Sequence, residues 1–353
     1  MKRLLCLLLL CGACWARSGD DLLPVRALHM WAPKPADTPL LVRFIREALP
    51  KEGINTLVLE FDYHYQFRSH PEVTDPDALS KEDVKQIVSA CREARVHLIP
   101  LLGLLGHQSR GNVTFGLLRS HPEFDETPGK FPANEGIYCR SYCPLHPQIH
   151  ALVFDLIDEL MEVAEADAFH AGLDEVFLLG EEECPRCRGK LTAQLFADEV
   201  WRLRNHLAER GRKLWIWGDR LIDGATSGVD KWEGSVNQTW PAVDRVPRDI
   251  VICDWHYEKA EPTAAYFAVH GLAVVTCPWK TPGVGRAEVK LVRAMRAPAN
   301  SELAGRMLGI LQTSWQDPAD LIHMYFGEMP ATGRSGENLQ SFREVFDEIR
   351  NGK

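Results

Sequence analysis

Two carboxylic acids stand side by side at Asp174 and Glu175, in the run His170-Ala-Gly-Leu-Asp-Glu-Val176. A glycine lies just before them, and Val176-Phe177-Leu178-Leu179 follows at once, an apolar setting unlike that of solvated loop acids. Apolar surroundings disfavour a charged carboxylate, and two close carboxylates resist ionising together. The pattern therefore predicts that one acid stays protonated while its neighbour stays charged. A proton donor beside a standing negative charge is what cleavage of a glycosidic bond requires.

Aromatic residues recur at comparable places. Trp31, Tyr63, Tyr65, Trp217, Trp255, Tyr257, Trp279 and Trp315 each fall at or just past the end of an apolar run. Flat apolar faces with a polar edge suit stacking on a sugar ring. The nearby Asp62, Asp219, Asp254 and Asp317 are candidates for binding hydroxyls, with salt links inside the fold as their structural alternative.

These side chains need a scaffold that brings strand ends together. Apolar, β-branched runs occur at Val25 to Trp31, Ile54 to Phe61, Val96 to Leu102, Ala168 to Leu173, Lys213 to Trp217, Ile250 to Asp254, Leu272 to Cys277 and Met307 to Ser314. Ile149, Leu152, Val153, Leu156, Ile157, Leu160 and Met161 mark an amphipathic helix before the fourth run, and Leu191 to Arg210 reads as another, stopped by Gly211. Short strands alternating with helices imply parallel pairing. Eight such units predict an α/β fold, a (β/α)8 TIM barrel in a single domain over residues 22–353. A doubly wound sheet is the rival, but no G-x-G-x-x-G turn follows the first strand. The long stretch Leu104 to His146 fits a barrel, which builds its site from the loops after its strands.

With those residues in view, His170-Ala-Gly-Leu-Asp174-Glu175 resembles the H-x-G-G-D-E strand of glycoside hydrolase family 20, the β-N-acetylhexosaminidases, with Leu173 as the one departure. Pro100 with Gly106-His107 resembles the Pro-Gly-His region after strand three. Trp217, Trp255 and Pro278-Trp279 resemble the tryptophans of strands five to seven, and Trp315-Gln-Asp317 resembles the closing W-x-E. The likeness runs from Val25 to Asp317 and is nearest to the short hexosaminidase D type. It implies release of terminal N-acetylhexosamine from glycoconjugates by a substrate-assisted, retaining mechanism with an oxazolinium intermediate. Glu175 would be the acid and base, and Asp174 would orient the acetamido group. The substrate-binding residues would be His107, His170, Trp217, Trp255, Tyr257, Trp279, Trp315 and Asp317. No cofactor or catalytic metal is implied. Three departures bear on recognition: His29, Trp31 and Lys34 stand where many members carry an arginine, Lys280 stands where a tyrosine often follows the tryptophan, and Asp317 replaces a glutamate. Two alternatives remain open, a glycosidase for sugars lacking an acetamido group and a non-catalytic carbohydrate-binding barrel.

Bulk properties favour a neutral or small substrate. A formal charge of −9 with no basic block disfavours nucleic acid or an anionic membrane surface as main partner. Lys2-Arg3, the apolar stretch Leu4 to Leu10 and small residues to Ala16 have the layout of a signal peptide, taken as residues 1–18, so the chain is expected to be exported without a membrane span; a lipoprotein site at Cys14 is the lesser alternative. Cys139, Cys143, Cys184 and Cys187 form two close pairs suited either to structural zinc or to disulfides. Asn112-Val-Thr114 and Asn237-Gln-Thr239 are glycosylation sequons, which matter only in a eukaryotic host.

Overall fold

Each of the eight apolar runs becomes a strand. The computed structural model describes residues 23–352, so the leader expected at 1–18 lies outside the described residues. The strands are β1 (Val25–Trp31), β2 (Thr56–Glu60), β3 (His97–Leu104), β4 (Ala168–Gly172), β5 (Lys213–Trp217), β6 (Val251–Trp255), β7 (Ala273–Cys277) and β8 (Met307–Gln312). All pair in parallel in sequence order, and β1 pairs with both β2 and β8, which closes a (β/α)8 barrel. At that seam Gly309 has φ 146°, and a Cβ there would sit 2.0 Å from the Val25 carbonyl oxygen. Only glycine allows β1 and β8 to meet so closely.

The alternation of a strand sorts its side chains into two cores. Ala27, Val58, Ile99, Leu101, Trp215, Val251, Cys253, Val275 and Leu311 fill the barrel interior. Leu57, Leu59, Leu98, Leu102, Ile216, Ile252, Val274 and Ile310 meet the surrounding helices. Helices of seven residues or more are α1 (Thr38–Glu47), α2 (Lys81–Ala94), α3 (Ile149–Ala164), α4 (Thr192–Ala208), α5 (Thr263–Val269), α6 (Val284–Arg296), α7 (Pro318–Phe326) and α8 (Gly333–Asn351). Ser80 starts α2 by accepting from the Asp83 N–H at 3.2 Å, while Asp83 accepts in return, a reciprocal cap. The stripe expected in α3 is buried along its length. Gly211, at φ 68°, donates to the Ala208 carbonyl and turns the chain out of α4.

Two connections depart from the regular plan, and both shape the site. Between β3 and α3 the chain forms a two-residue ribbon, Ser109–Arg110 against Val113–Thr114, and short turns reaching to Cys143. Between β5 and β6 there is no helix of that length, only the 3-10 turns Asp219–Leu221 and Trp240–Asp244 with a single turn at Gly224–Ser227. Among the described residues, no helix is long and apolar enough to cross a membrane.

Candidate active site

Past the end of β4 the backbone leaves extended geometry. Leu173 has φ 68° and Glu175 φ 47°, so the chain twists through left-handed conformations on either side of Asp174. An extended strand would send neighbouring side chains to opposite faces. Here both acids open on one cavity of about 820 Å³ at the C-terminal end of the barrel strands. Asp62, Leu105 and His107, at the ends of β2 and β3, are also left-handed, with φ of 45°, 61° and 53°. Such strain persists where surrounding structure over-determines it, and it clusters at functional sites.

His107 faces both acids. Its Nε2 lies 3.1 Å from Asp174 Oδ2 and 3.0 Å from Glu175 Oε2. Burial alone would lower the imidazole's pKa, but the charge of Asp174 and the contacts to both carboxylates raise it well above its ordinary value. Burial likewise works against charge on Asp174, yet His107 outweighs it and holds that carboxyl below its usual range. Two further carboxyls, at the end of β2, are raised. Burial and then the Asp174 charge push Glu60 up to about 7. Burial and Glu60 raise Asp62 well above its usual range, although the Gly103 N–H donates to Asp62 Oδ1 at 2.8 Å. The lowering of Asp174 comes from a histidine sixty-seven positions earlier rather than from the neighbouring acid.

Aromatic rings build floor and wall. Trp217 and Trp315 lie with ring centroids 5.8 Å apart, and His29 sits against them at 5.6 and 4.4 Å. Tyr257 stands between Trp255 and Trp279, at 4.8 and 5.2 Å, and accepts from Trp315 Nε1 at 2.8 Å. Asp317 is at the rim, where Oδ1 accepts from the Ala319 N–H to cap α7 and Oδ2 lies 3.6 Å from Lys34 Nζ. His107, Trp217, Trp255, Tyr257, Trp279, Trp315 and Asp317 thus join the two acids around one cavity.

Several expectations are corrected. His170 does not reach the cavity: it is fully buried beneath Trp217, with ring centroids 4.5 Å apart, and its Nδ1 accepts from the Gly172 N–H at 3.0 Å. Burial drops its pKa to about 3, so it is a neutral support for the turn. Asp219 is also buried, and binds protein groups rather than a sugar hydroxyl. Its Oδ2 accepts from the Glu175 N–H at 2.9 Å and from Arg220 Nε at 2.6 Å, and its Oδ1 from Trp255 Nε1 at 3.2 Å. Asp254 lies 3.2 Å from His256 Nε2 inside the fold. Tyr63 and Tyr65 are packed in the core, Tyr63 donating to Gln108 Oε1 at 2.6 Å. Among the cysteines, Cys139 leaves the expected foursome and donates to the Glu175 carbonyl at 3.5 Å.

The sequence reading also missed lining residues. Glu60 is one; it ends β2 two residues before Asp62, the same strand-end signal that marked Asp174. Tyr138, Trp232 and Glu233 come from the two irregular connections, with Tyr138 and Trp232 at 4.8 Å, and carried no periodic signal. Arg110 and Arg334 also line the cavity, and the Arg334 guanidinium sits 4.3 Å over the Trp279 ring. Behind the acids, Asn237 donates its amide Nδ2 to the Val176 and Phe177 carbonyls at 2.8 and 3.1 Å. The ligand atoms of His107, Asp174 and Glu175 lie within 4.8 Å of one another, close enough together to hold a cation.

The model of glycosyl hydrolase family 20, catalytic domain, matches residues 59–284, well over half of the chain. The chain belongs to glycosyl hydrolase family 20. The resemblance read from its strand-end residues is therefore borne out. A beta-hexosaminidase of Akkermansia muciniphila is 24% identical over 138 residues, covering 38% of this family 20 chain and 27% of that protein. The barrel superposes on a chitobiase of Flavobacterium johnsoniae with TM-score 0.67 at 17% identity, over 93% of this chain and 51% of that one. It superposes on a beta-N-acetylhexosaminidase of Bacteroides fragilis with TM-score 0.62 at 16% identity, over 92% and 65%. These structural likenesses speak for the fold, and this family 20 chain spans only part of the length of each relative.

Proposed function

We propose that the chain is a retaining β-N-acetylhexosaminidase that releases terminal N-acetylglucosamine or N-acetylgalactosamine from glycoconjugates. The observation that carries this reading is the trio at the base of the cavity: Asp174, kept ionised by His107, adjoins Glu175 under a wall of aromatic rings. In the first step the sugar's acetamido carbonyl oxygen attacks the anomeric carbon as Glu175 passes its proton to the departing glycosidic oxygen. Asp174 accepts a hydrogen bond from the acetamido N–H and offsets the positive charge of the oxazolinium ring. Glu175, now a carboxylate, takes a proton from water as that water attacks the anomeric carbon and restores the acetamido group. The nucleophile belongs to the substrate, a known exception to the two-carboxylate scheme. Support for the substrate class comes from family membership and from the named activities of the relatives. Export after removal of residues 1–18, and a single catalytic domain over 22–353, belong to the same proposal; N-terminal sequencing of secreted product tests the first.

Chromogenic N-acetyl-β-glucosaminide and galactosaminide should be turned over, and the matching β-glucoside should not. Equal turnover of the glucoside would favour an enzyme nucleophile. Calorimetric binding of an N-acetylhexosamine oligosaccharide with no product after long incubation would leave only a binding protein.

A further inference from the structure

Outside the cavity, four buried groups converge with no part in the proposed reaction. Cys143, Cys184, Cys187 and Glu126 each direct one ligand atom to a common point, all within 4.8 Å of one another. All four residues are fully buried. Cys143 Sγ lies 3.4 Å from Cys184 Sγ and 3.5 Å from Cys187 Sγ. A disulfide needs sulfurs about 2.05 Å apart. Sulfurs on a tetrahedral zinc at about 2.3 Å lie ~3.8 Å from each other, close to the spacing found.

The backbone holds this geometry from two directions. An antiparallel bridge joins Asp125 and Tyr142, so the Glu126 N–H donates to the Ser141 carbonyl at 3.0 Å and the Cys143 N–H to the Phe124 carbonyl at 2.6 Å. Opposite them, the segment Cys184-Pro-Arg-Cys187-Arg-Gly-Lys folds into a knuckle, with Arg188 N–H donating to the Cys184 carbonyl and Lys190 N–H to that of Cys187. Glu126 spans the two: its Oε1 accepts from the Gly180 and Glu181 N–H groups at 2.8 and 3.2 Å. Its Oε2 is sealed from solvent beside the sulfurs and makes no hydrogen bond there. Burying a carboxylate oxygen unpaired is costly. Three thiols are an odd set, so any disulfide among them would leave one sulfur and that oxygen unsatisfied.

We infer that Glu126, Cys143, Cys184 and Cys187 form a structural zinc site, with three thiolates and one carboxylate closing a tetrahedron. On binding, three thiol protons leave to solvent and no redox change occurs. The set satisfies Oε2 and uses every sulfur of the cluster. With all four positions taken by protein, the metal has no open face for substrate, which marks a structural rather than a catalytic ion. Its work is mechanical. Glu126 and Cys143 belong to the connection that carries His107, and Cys184 and Cys187 to the loop that follows Asp174 and Glu175, so the ion clamps together the two segments that must keep His107 between the acids.

The test uses the full chain purified under reducing conditions without chelator. Elemental analysis should find about one zinc per chain, with the metal resisting dialysis as a closed site does. Chain unfolded and refolded with cobalt(II) should display thiolate-to-cobalt charge-transfer absorption. Cys187→Ser should lose the metal and unfold at lower temperature, Glu126→Gln should bind zinc more weakly in competition with a chromogenic chelator, and Cys139→Ser should keep it. Metal-free chain that takes up neither zinc nor cobalt overturns the proposal without recourse to any variant. So does a peptide map of the chain, purified without reductant, that joins Cys143 to Cys184 or Cys187.

Discussion

Asp174 and His107 set each other's charge, and this has consequences at both ends of the pH range. His107 is raised in the folded chain, so its contribution to stability is complete below its unfolded value near 6.5 and is lost as pH climbs through the raised one. Asp174 is lowered, so its contribution is present above its unfolded value near 3.8 and is lost as pH falls through the lowered one. The acidic limb of kcat/KM should follow loss of charge on Asp174. His107→Gln removes the positive partner, so the limb should move to higher pH; a profile that stays in place would show that another group governs it. For Glu175→Gln, turnover should fall by roughly 10²- to 10⁴-fold, the range for a lost general acid. Its thermal unfolding should stay near that of the parent, because the Asp219 contact uses the Glu175 backbone N–H rather than the side chain. An unchanged rate in that variant would remove Glu175 from the chemistry. The adjacent acids were legible in the sequence because an apolar run flanks them. His107's hold on the charge of Asp174 was not, because it depends on a left-handed turn that brings two distant loops to within 3.1 Å.

The strand ends show what the turn costs. Leu173 stands where the resembled pattern has glycine, yet its φ is 68° and its side chain is fully buried. A left-handed non-glycine residue costs ~1–2 kcal/mol, whereas emptying a buried leucine site costs ~2–5 kcal/mol. Leu173→Gly should therefore destabilise, by roughly 1–3 kcal/mol in a urea titration, even though it relieves the backbone. Gly106 offers the reverse case. A Cβ there would sit 2.8 Å from the Asp174 carbonyl oxygen and 3.2 Å from Val176 Cγ2. Gly106→Ala should displace the acid turn and cut kcat by roughly 10-fold or more while circular dichroism keeps its native form; wild-type kcat would mean the turn absorbs the methyl group freely. All eight strands could be read from the sequence because barrel strands are buried on both faces and appear as short apolar runs. The β5 to β6 connection could not, since 3-10 turns leave no periodic trace, and Trp232 and Glu233 went unseen with it.

Across the whole molecule, the last helix helps to hold the barrel shut. From α8, Phe342, Val345, Phe346 and Ile349 are buried, and Arg350 donates to the Glu52 carbonyl at 3.0 Å, back beside β2. Four such side chains contribute ~6–12 kcal/mol at ~1.5–3 each, comparable to the ~5–15 kcal/mol that holds a typical domain folded. A chain ending at residue 332 should consequently give no cooperative melting transition, and a sharp one would show that the barrel closes without α8. The two sequons part company in the same way, by what the fold has already done with each asparagine. Asn112 is exposed on its ribbon, but the amide nitrogen of Asn237 is committed to two carbonyls behind the acids. In a chain directed into the secretory lumen, an oligosaccharyltransferase would reach Asn237 before those bonds form, and a transferred glycan would then prop open the back of the cavity. Yeast or mammalian cells should accordingly yield far less active chain than bacteria do, with output restored by Thr239→Ala only if the lost Thr239 hydroxyl bonds to Arg220 and Ser235 prove dispensable.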